Sequence, residues 1–167
     1  MLPNNFTHRA QEAIQRAHMN AMDRGQTQLD PLHLASALLE QDDGIVPAMM
    51  RKLGVDLASL KSAVEEGLHK LPVGSQISAP PGQIFLSDQL AKSLQTADKA
   101  AREFGDKFIS SEHLFLGLIS GCPSLSRVLA SHGVTNEQIF SSLKELRGSH
   151  KVDSPEAEAR VELLKKY

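Results

Sequence analysis

The chain has 167 residues, which suits one ordinary domain or a domain with an appendage that needs no metal or disulfide to stabilise it. Its 18 Lys and Arg residues nearly balance its 20 Asp and Glu residues, which argues against a nucleic-acid partner, because nucleic-acid-binding domains carry a clustered positive surface. Cys122 is the only cysteine, so an internal disulfide is excluded and a reducing, cytoplasmic setting is favoured. With no apolar leader and no apolar window as long as a membrane span, we expect no membrane partner.

The first helix is predicted from Thr7 to about Arg24. Thr7 is a good N-cap, and Gly25 lies where a glycine with positive φ would end the helix. The apolar residues recur at spacings of four, three and four, which is the pattern of one buried helical stripe: Ala10, Ile14, Ala17 and Ala21.

Three further helices are predicted before residue 71. Asp30 is a carboxylate N-cap, and Pro31 follows at the first helical position, where its missing N–H has no cost. A short third helix is predicted over residues 46–53, before Gly54. Asp56 caps the fourth helix, whose apolar stripe consists of Leu57, Leu60, Val64 and Leu68.

Residues 72–85 are predicted to be an irregular linker, because three prolines and two glycines fall within them. The helical pattern then starts again. Ser87 caps a fifth helix that ends before Gly105, and Ser110 takes the capping role of Asp30.

The two halves of the chain are copies of one another. Residues 6–39 align with residues 86–119 at a shift of 80 positions, and the shift becomes 79 farther along the chain, where Gly133 matches Gly54. Seven residues of the first segment are identical in the second: Gln15, Ala17, Ala21, Gly25, His33, Leu34 and Leu38. No segment has the strict alternation of a strand. We therefore predict an all-α fold of two four-helix repeats that pack on each other about a pseudo-twofold axis.

The predicted domain covers residues 1–148, with repeat one at 6–71, the linker at 72–85 and repeat two at 86–148. Residues 149–167 are predicted to form a linker and the start of a further helix. Ser154 and Pro155 supply a cap and a first-position proline for that helix. Its apolar content is thin, so we expect it to begin something that continues.

His33 and His113 are the strongest repeated polar feature, and two interpretations are open. In the first, they are functional histidines of a small hydrolase or metal enzyme, with Glu112 as an acid–base partner. In the second, each histidine occupies the N3 position of its helix and accepts a hydrogen bond from the backbone of the capping residue, as Glu does in a capping box. Because both halves carry the feature, we favour the architectural interpretation.

No other pattern supports catalysis. The remaining histidines have no i, i+4 pairing and no HExxH motif, and the sequence has neither GxSxG nor GxxxxGK[ST]. We therefore expect a non-catalytic fragment with no metal and no cofactor of its own.

The repeated motifs resemble the amino-terminal domain of the Clp-family ATPases over essentially the whole chain. They are FTxxAQEAI from residue 6, DPLHLxxALL from residue 30, GDxFISSEHL from residue 105 and LRG from residue 146. The closing stretch 151–167 resembles the link into the first ATPase module of ClpB-type protein disaggregases, so this fragment is expected to end before that module begins.

The resemblance implies a bundle of eight helices that is mobile on its linker, one per subunit of an ATP-driven ring hexamer. It implies that the domain hydrolyses nothing and binds exposed apolar segments of unfolded or aggregated clients for threading, while ATP and magnesium belong to the missing ATPase modules. Cooperation with co-chaperones would run through other domains. The alternative within the family is an adaptor- or degron-docking domain of a ClpA- or ClpC-type protease unfoldase. We expect the isolated fragment to be a monomer.

The resemblance also implies a substrate groove along the seam between the repeats. The residues that correspond to it here are Thr7, Leu94, Thr96, Ala100, Glu112 and His113. Some relatives carry larger aliphatic residues at the last three of the positions Leu94, Thr96, Ala100 and His113. Two of these residues have a second interpretation. Thr7 is also a candidate helix N-cap, and Glu112 is also a favourable negative charge at a helix N-terminus.

Overall fold

The computed structural model describes residues 3–41, 43–71, 84–148 and 151–155, and these ranges contain eight α-helices. The predicted all-α class is confirmed. Most of the predicted linker and the predicted tail helix lie outside the described residues. The helices are α1 His8–Asp23, α2 Pro31–Leu39, α3 Ile45–Lys52, α4 Leu57–His69, α5 Asp88–Glu103, α6 Ser111–Gly121, α7 Pro123–Ser131 and α8 Asn136–Arg147.

The helix boundaries follow the caps that the sequence supplies. The Thr7 hydroxyl accepts a hydrogen bond from the Ala10 N–H at 3.1 Å, and the Ser87 hydroxyl accepts one from the Leu90 N–H at 3.1 Å. Gly25 follows the end of α1 with a φ of 69°, which is a conformation that other residues rarely adopt. The predicted N-caps of α1 and α5 are therefore confirmed.

Two short parallel strands join the repeats, β1 Gln28–Leu29 and β2 Phe85–Leu86. An isolated bridge between Phe6 and Ile109 repeats the arrangement on the other side. In each case the segment that leads into the first helix of one repeat pairs with the loop between the first and second helices of the other. The sequence did not indicate these strands, because two residues are too few to show an alternating pattern. This exchange of strands confirms the predicted closed pair of repeats.

The core is centred on α2 and α6, the second helix of each repeat. Eight residues of α2 and nine of α6 are buried, whereas α1 and α5 bury one stripe each. Small residues allow close approach: a Cβ placed on Gly117 would lie 2.2 Å from the Ser93 carbonyl oxygen of α5. The polar side chains at the N-termini of α2 and α6 are therefore held by the most deeply buried helices of the domain.

Among the described residues no single helix is both long and apolar enough to cross a membrane, and α6 and α7 meet that requirement only when they are taken together, with a bend of 98° between them.

Candidate functional site

A hydrogen-bonded cluster of the Asp30 backbone, His33 and Gln26 lies at the N-terminus of α2, and we call it the first histidine hub. The His33 Nδ1 atom accepts a hydrogen bond from the Asp30 N–H at 2.9 Å, so the proton is on Nε2, which donates to the Gln26 side-chain oxygen at 2.5 Å. The Gln26 amide in turn donates to the Leu68 carbonyl at 3.0 Å, at the end of α4. Burial of the imidazole and the nearby positive charge of Arg24 lower the pKa of His33 to about 4. The first hub is therefore held together by neutral groups at neutral pH.

The equivalent cluster at the N-terminus of α6 consists of Ser110, His113, Asp106 and Arg147, and we call it the second histidine hub. The His113 Nδ1 atom accepts from the Ser110 N–H at 2.9 Å, and Nε2 contacts the Asp106 carboxylate at 2.8 Å. The other Asp106 oxygen accepts from Arg147 at 2.7 Å and from the Val152 N–H at 2.9 Å. Burial alone raises the pKa of Asp106, but these hydrogen bonds hold it well below its usual range. The second hub is therefore charged.

Both histidines occupy N3 of their helix and complete a capping box with the N-cap residue. The architectural interpretation is confirmed. Glu112 belongs to the same buried cluster, where its carboxylate accepts from the Ser110 hydroxyl and lies 3.8 Å from the Arg147 Nε atom. Within the ranges that the structure describes, no three His, Cys, Asp or Glu side chains are grouped so that they could hold a metal ion.

The structure does not bring all the predicted groove residues to one surface. The side chains of Thr7, Glu112 and His113 are fully buried. Each is occupied within the domain, Thr7 by the cap of α1 and the other two by the second hub. In this conformation these three side chains are closed to a client and position helices, and their role as contact residues stays a prediction.

Two of the three predicted α5 residues reach the surface. Thr96 and Ala100 are half-buried, so part of each reaches the surface, whereas Leu94 is only 6% exposed. The Thr96 hydroxyl donates to the Lys92 carbonyl at 3.0 Å, within its own helix. This face of α5 is therefore the part of the predicted groove that remains open to a client.

A second open surface lies between α1 and α2, and the sequence did not indicate it. It is a shallow groove of about 490 Å³. Met19 lines it and is 62% exposed, and Met22 on the same helix is also exposed. Further lining residues are Arg16, Asp23, Ala37 and Glu40. Both methionines fall outside the apolar stripe of α1, which is the signal that could have found this groove; we name it the α1–α2 groove.

The fold and the hubs define a duplicated helical domain whose two halves exchange short strands and share one type of buried cap. Comparison with known proteins identifies the family of this domain. The family described as the Clp repeat (R) N-terminal domain matches residues 5–132, and the chain belongs to this family.

The chain is similar to the chaperone protein ClpB of Nitratidesulfovibrio vulgaris, with 34% identity over 164 residues, covering 97% of this chain and 19% of that protein. It therefore spans about a fifth of the length of such relatives. The crystal structure of the Hsp104 N-terminal domain from Candida albicans superimposes with a TM-score of 0.82 at 25% identity, covering 93% of this chain and 99% of that chain.

A third structure shares the fold. It is described as a complex of the ClpV N-domain with a VipB peptide, and it matches with a TM-score of 0.66 at 17% identity over 84% of this chain and 85% of that chain. These comparisons confirm the resemblance that the repeated motifs indicated. The chain has the fold of a Clp-type N-terminal domain.

Proposed function

We propose that this domain recruits exposed apolar segments of unfolded or aggregated proteins for a ClpB-type chaperone, and that it has no catalytic role itself. The likeness to the ClpB chaperones supports this function. The ring hexamer, the ATP and magnesium, and any cooperation with co-chaperones belong to modules outside this chain. The domain would bind a client and release it to those modules for threading.

The α1–α2 groove is the observation that carries the proposal. Met19 exposes 62% of its surface there, and Met22 on the same helix exposes 46%. Methionine has a flexible, polarizable side chain that adapts to differently shaped apolar partners, so it suits a surface that binds many sequences. The groove is also shallow, which favours weak binding. Weak binding suits a domain whose client must be passed on.

The open face of α5 is the second contact region of this proposal. Thr96 and Ala100 offer a small, partly apolar patch there. Leu94 lies beneath it and would add apolar area only if the helix moved. Thr7, Glu112 and His113 support the surface from within, since they fix the starts of α1 and α6.

Titration of the isotope-labelled chain with an unfolded model protein, followed by residue-resolved NMR, tests the proposal. We expect shifts at Met19 and Ala37 in the α1–α2 groove and at Thr96 and Ala100 on α5. The depression between α3 and α8, where the Lys52 ammonium pairs with the Glu145 carboxylate at 2.6 Å, serves as the control surface and should not respond. Shifts confined to that surface, or no shifts, would remove the proposal.

The alternative is an adaptor-docking domain of the ClpA or ClpC type. One observation favours it: a ClpV N-domain with this fold occurs in a complex with a single named peptide. The two functions differ in selectivity. If several unfolded proteins of unrelated sequence compete for one surface, client recruitment is supported; if none of them binds and a single folded partner does, the adaptor-docking function is supported.

A further inference from the structure

Residues 151–155, which follow α8, lie against the domain, although the sequence predicted a linker there. Val152 is fully buried, while its neighbours Lys151 and Asp153 are exposed. One side chain of this short segment is thus inserted into the domain, and the residues on either side of it face solvent. We call residues 151–155 the tail segment.

The backbone of the tail segment is held at Val152, through both its carbonyl and its N–H group. The Val152 carbonyl accepts from the Lys107 N–H at 2.8 Å and from the Phe108 N–H at 3.2 Å. Its own N–H donates to the Asp106 carboxylate at 2.9 Å. Main-chain hydrogen bonds of this kind supply affinity for any extended segment, while a pocket for one side chain supplies selectivity. Residues 106–108 are therefore a docking edge for backbone groups, and the Val152 side chain is buried beside it.

The docking edge is built by the domain and does not depend on its occupant. Asp106 receives hydrogen bonds from His113 and Arg147, both of which belong to the repeats. Lys107 is fixed from the other side, since its carbonyl accepts from the Asn5 side chain at 2.9 Å. A carboxylate and two backbone N–H groups would therefore stay in place if the tail segment left.

The tail segment is held by one fully buried side chain, Val152, and by hydrogen bonds, among them one from the Lys151 ammonium to the Phe104 carbonyl. These contacts oppose the conformational entropy of five ordered residues. A segment with so few buried contacts opens at a lower free energy than the whole domain unfolds. The far end of the tail segment also contacts α1, where the Pro155 carbonyl accepts a hydrogen bond from the His8 N–H at 3.0 Å. Release would therefore free the start of α1 and lengthen the chain that follows by about 17 Å.

We propose that the tail segment is an internal occupant of a peptide-binding site at the docking edge. When it leaves, the site takes an extended segment with a valine-sized apolar residue from another polypeptide, and by the function proposed above this polypeptide is a client. The tail segment then regulates client access: the domain offers one fewer contact while the segment is docked and gains both a site and a longer tether when it is released.

The substitutions Val152→Ser and Asp153→Ser in the full chain form a matched pair, since they alter neighbouring residues of which only the first is buried. Amide hydrogen exchange is measured by NMR at Lys107, Phe108 and His8. We expect exchange to accelerate at least tenfold at all three amides in V152S and to stay unchanged in D153S. The Leu90 amide, bonded to the Ser87 cap, should keep its protection in both variants.

The second measurement adds a synthetic peptide with the sequence of residues 149–157 to the V152S chain. Protection at Lys107 and Phe108 should return, and the same peptide with Asp in place of the valine should not restore it. Unchanged exchange in V152S, equal acceleration of all amides, or failure of the valine peptide to bind would overturn the proposal. None of these readouts uses a client, so failure of the site is distinguishable from failure of the proposed recruitment function.

Discussion

The two histidine hubs solve the same structural problem with different chemistry. His33 and His113 both cap their helix through Nδ1, and at 2.9 Å the two bonds have equal length. The partner of Nε2 differs: it is the neutral amide of Gln26 in repeat one and the carboxylate of Asp106 in repeat two. The two repeats share the cap and differ in the residue behind it, which is an amide in repeat one and an acid in repeat two.

The difference between the two hubs extends to the last helix of each repeat. The Gln26 amide donates to the backbone carbonyl of Leu68, whereas at the equivalent position of repeat two Asp106 accepts from the side chain of Arg147. A carboxylate has more acceptor capacity than an amide oxygen, and Asp106 uses it to bind the backbone N–H of Val152. The charged hub thus binds a segment outside its own repeat, and the neutral hub closes on itself.

Asp106→Asn should have the largest effect on stability, because it leaves the Arg147 guanidinium buried without its main counter-charge. Breaking a buried pair in this way costs about 3–5 kcal/mol. Gln26→Ala, the corresponding change in the neutral hub, should cost about 1–3 kcal/mol. Urea unfolding of both variants measures the free energy of unfolding. If the two losses are equal, the difference in charge between the hubs has no energetic consequence.

Acid should weaken the neutral hub first. The folded-state pKa of His33 is about 4, below its ordinary value of 6.5, so between these values the unfolded chain binds a proton that the folded chain does not. The stability contributed by neutral His33 is therefore fully present above pH 6.5. It is lost as the pH falls towards 4, which lowers the free energy of unfolding by on the order of 2–3 kcal/mol. Asp106, whose pKa is depressed, stabilises the fold above its ordinary pKa, and this contribution is lost only at still lower pH.

The measurement for this acid effect is the free energy of unfolding from pH 7 to pH 4, compared between the unsubstituted chain and His33→Gln. The variant cannot be protonated, so the decrease between pH 6.5 and 4 should be smaller by the contribution of His33. An identical slope in the two proteins would show that the imidazole of the first hub does not control stability in this range.

Gly117→Ala tests how closely the second pair of helices packs. The added Cβ would lie 2.2 Å from the Ser93 carbonyl oxygen, which is backbone and cannot move without α5. We expect a loss of about 1–3 kcal/mol from overpacking, although alanine favours a helix over glycine. The equivalent residue of repeat one is Ala37, and Ala37→Gly should cost only about 1 kcal/mol from helix propensity. Thermal unfolding of both variants measures these losses of stability. A stabilising effect of Gly117→Ala would contradict the close approach of α5 and α6.

The sequence predicted most of the fold because helix starts and stops are local. Thr7, Ser87 and Asp30 act within three residues of themselves, and the two copies confirmed each other. The strand exchange and the burial of Glu112 could not be predicted in this way, since they depend on residues far apart in the chain. The peptide-binding prediction followed family positions, and the structure buries three of them, Thr7 and His113 in helix caps and Glu112 in the second hub. Val152 was missed because one apolar residue in a polar stretch carries no periodic signal.

Met19→Lys should have the smallest effect on stability and the clearest effect on binding. The equivalent residue in repeat two is Lys99, so the substitution gives α1 the side chain that α5 already carries at this position. Met19 is 62% exposed and outside the core, so the free energy of unfolding should change by less than about 0.5 kcal/mol. Affinity for an unfolded model protein, measured by fluorescence anisotropy, should fall several-fold, because a charged ammonium replaces an adaptable apolar side chain in the α1–α2 groove. Lys99→Met is the matched control. If it raises affinity as much as Met19→Lys lowers it, client binding depends on exposed methionine on either repeat; if it has no effect, the groove of repeat one is the specific site.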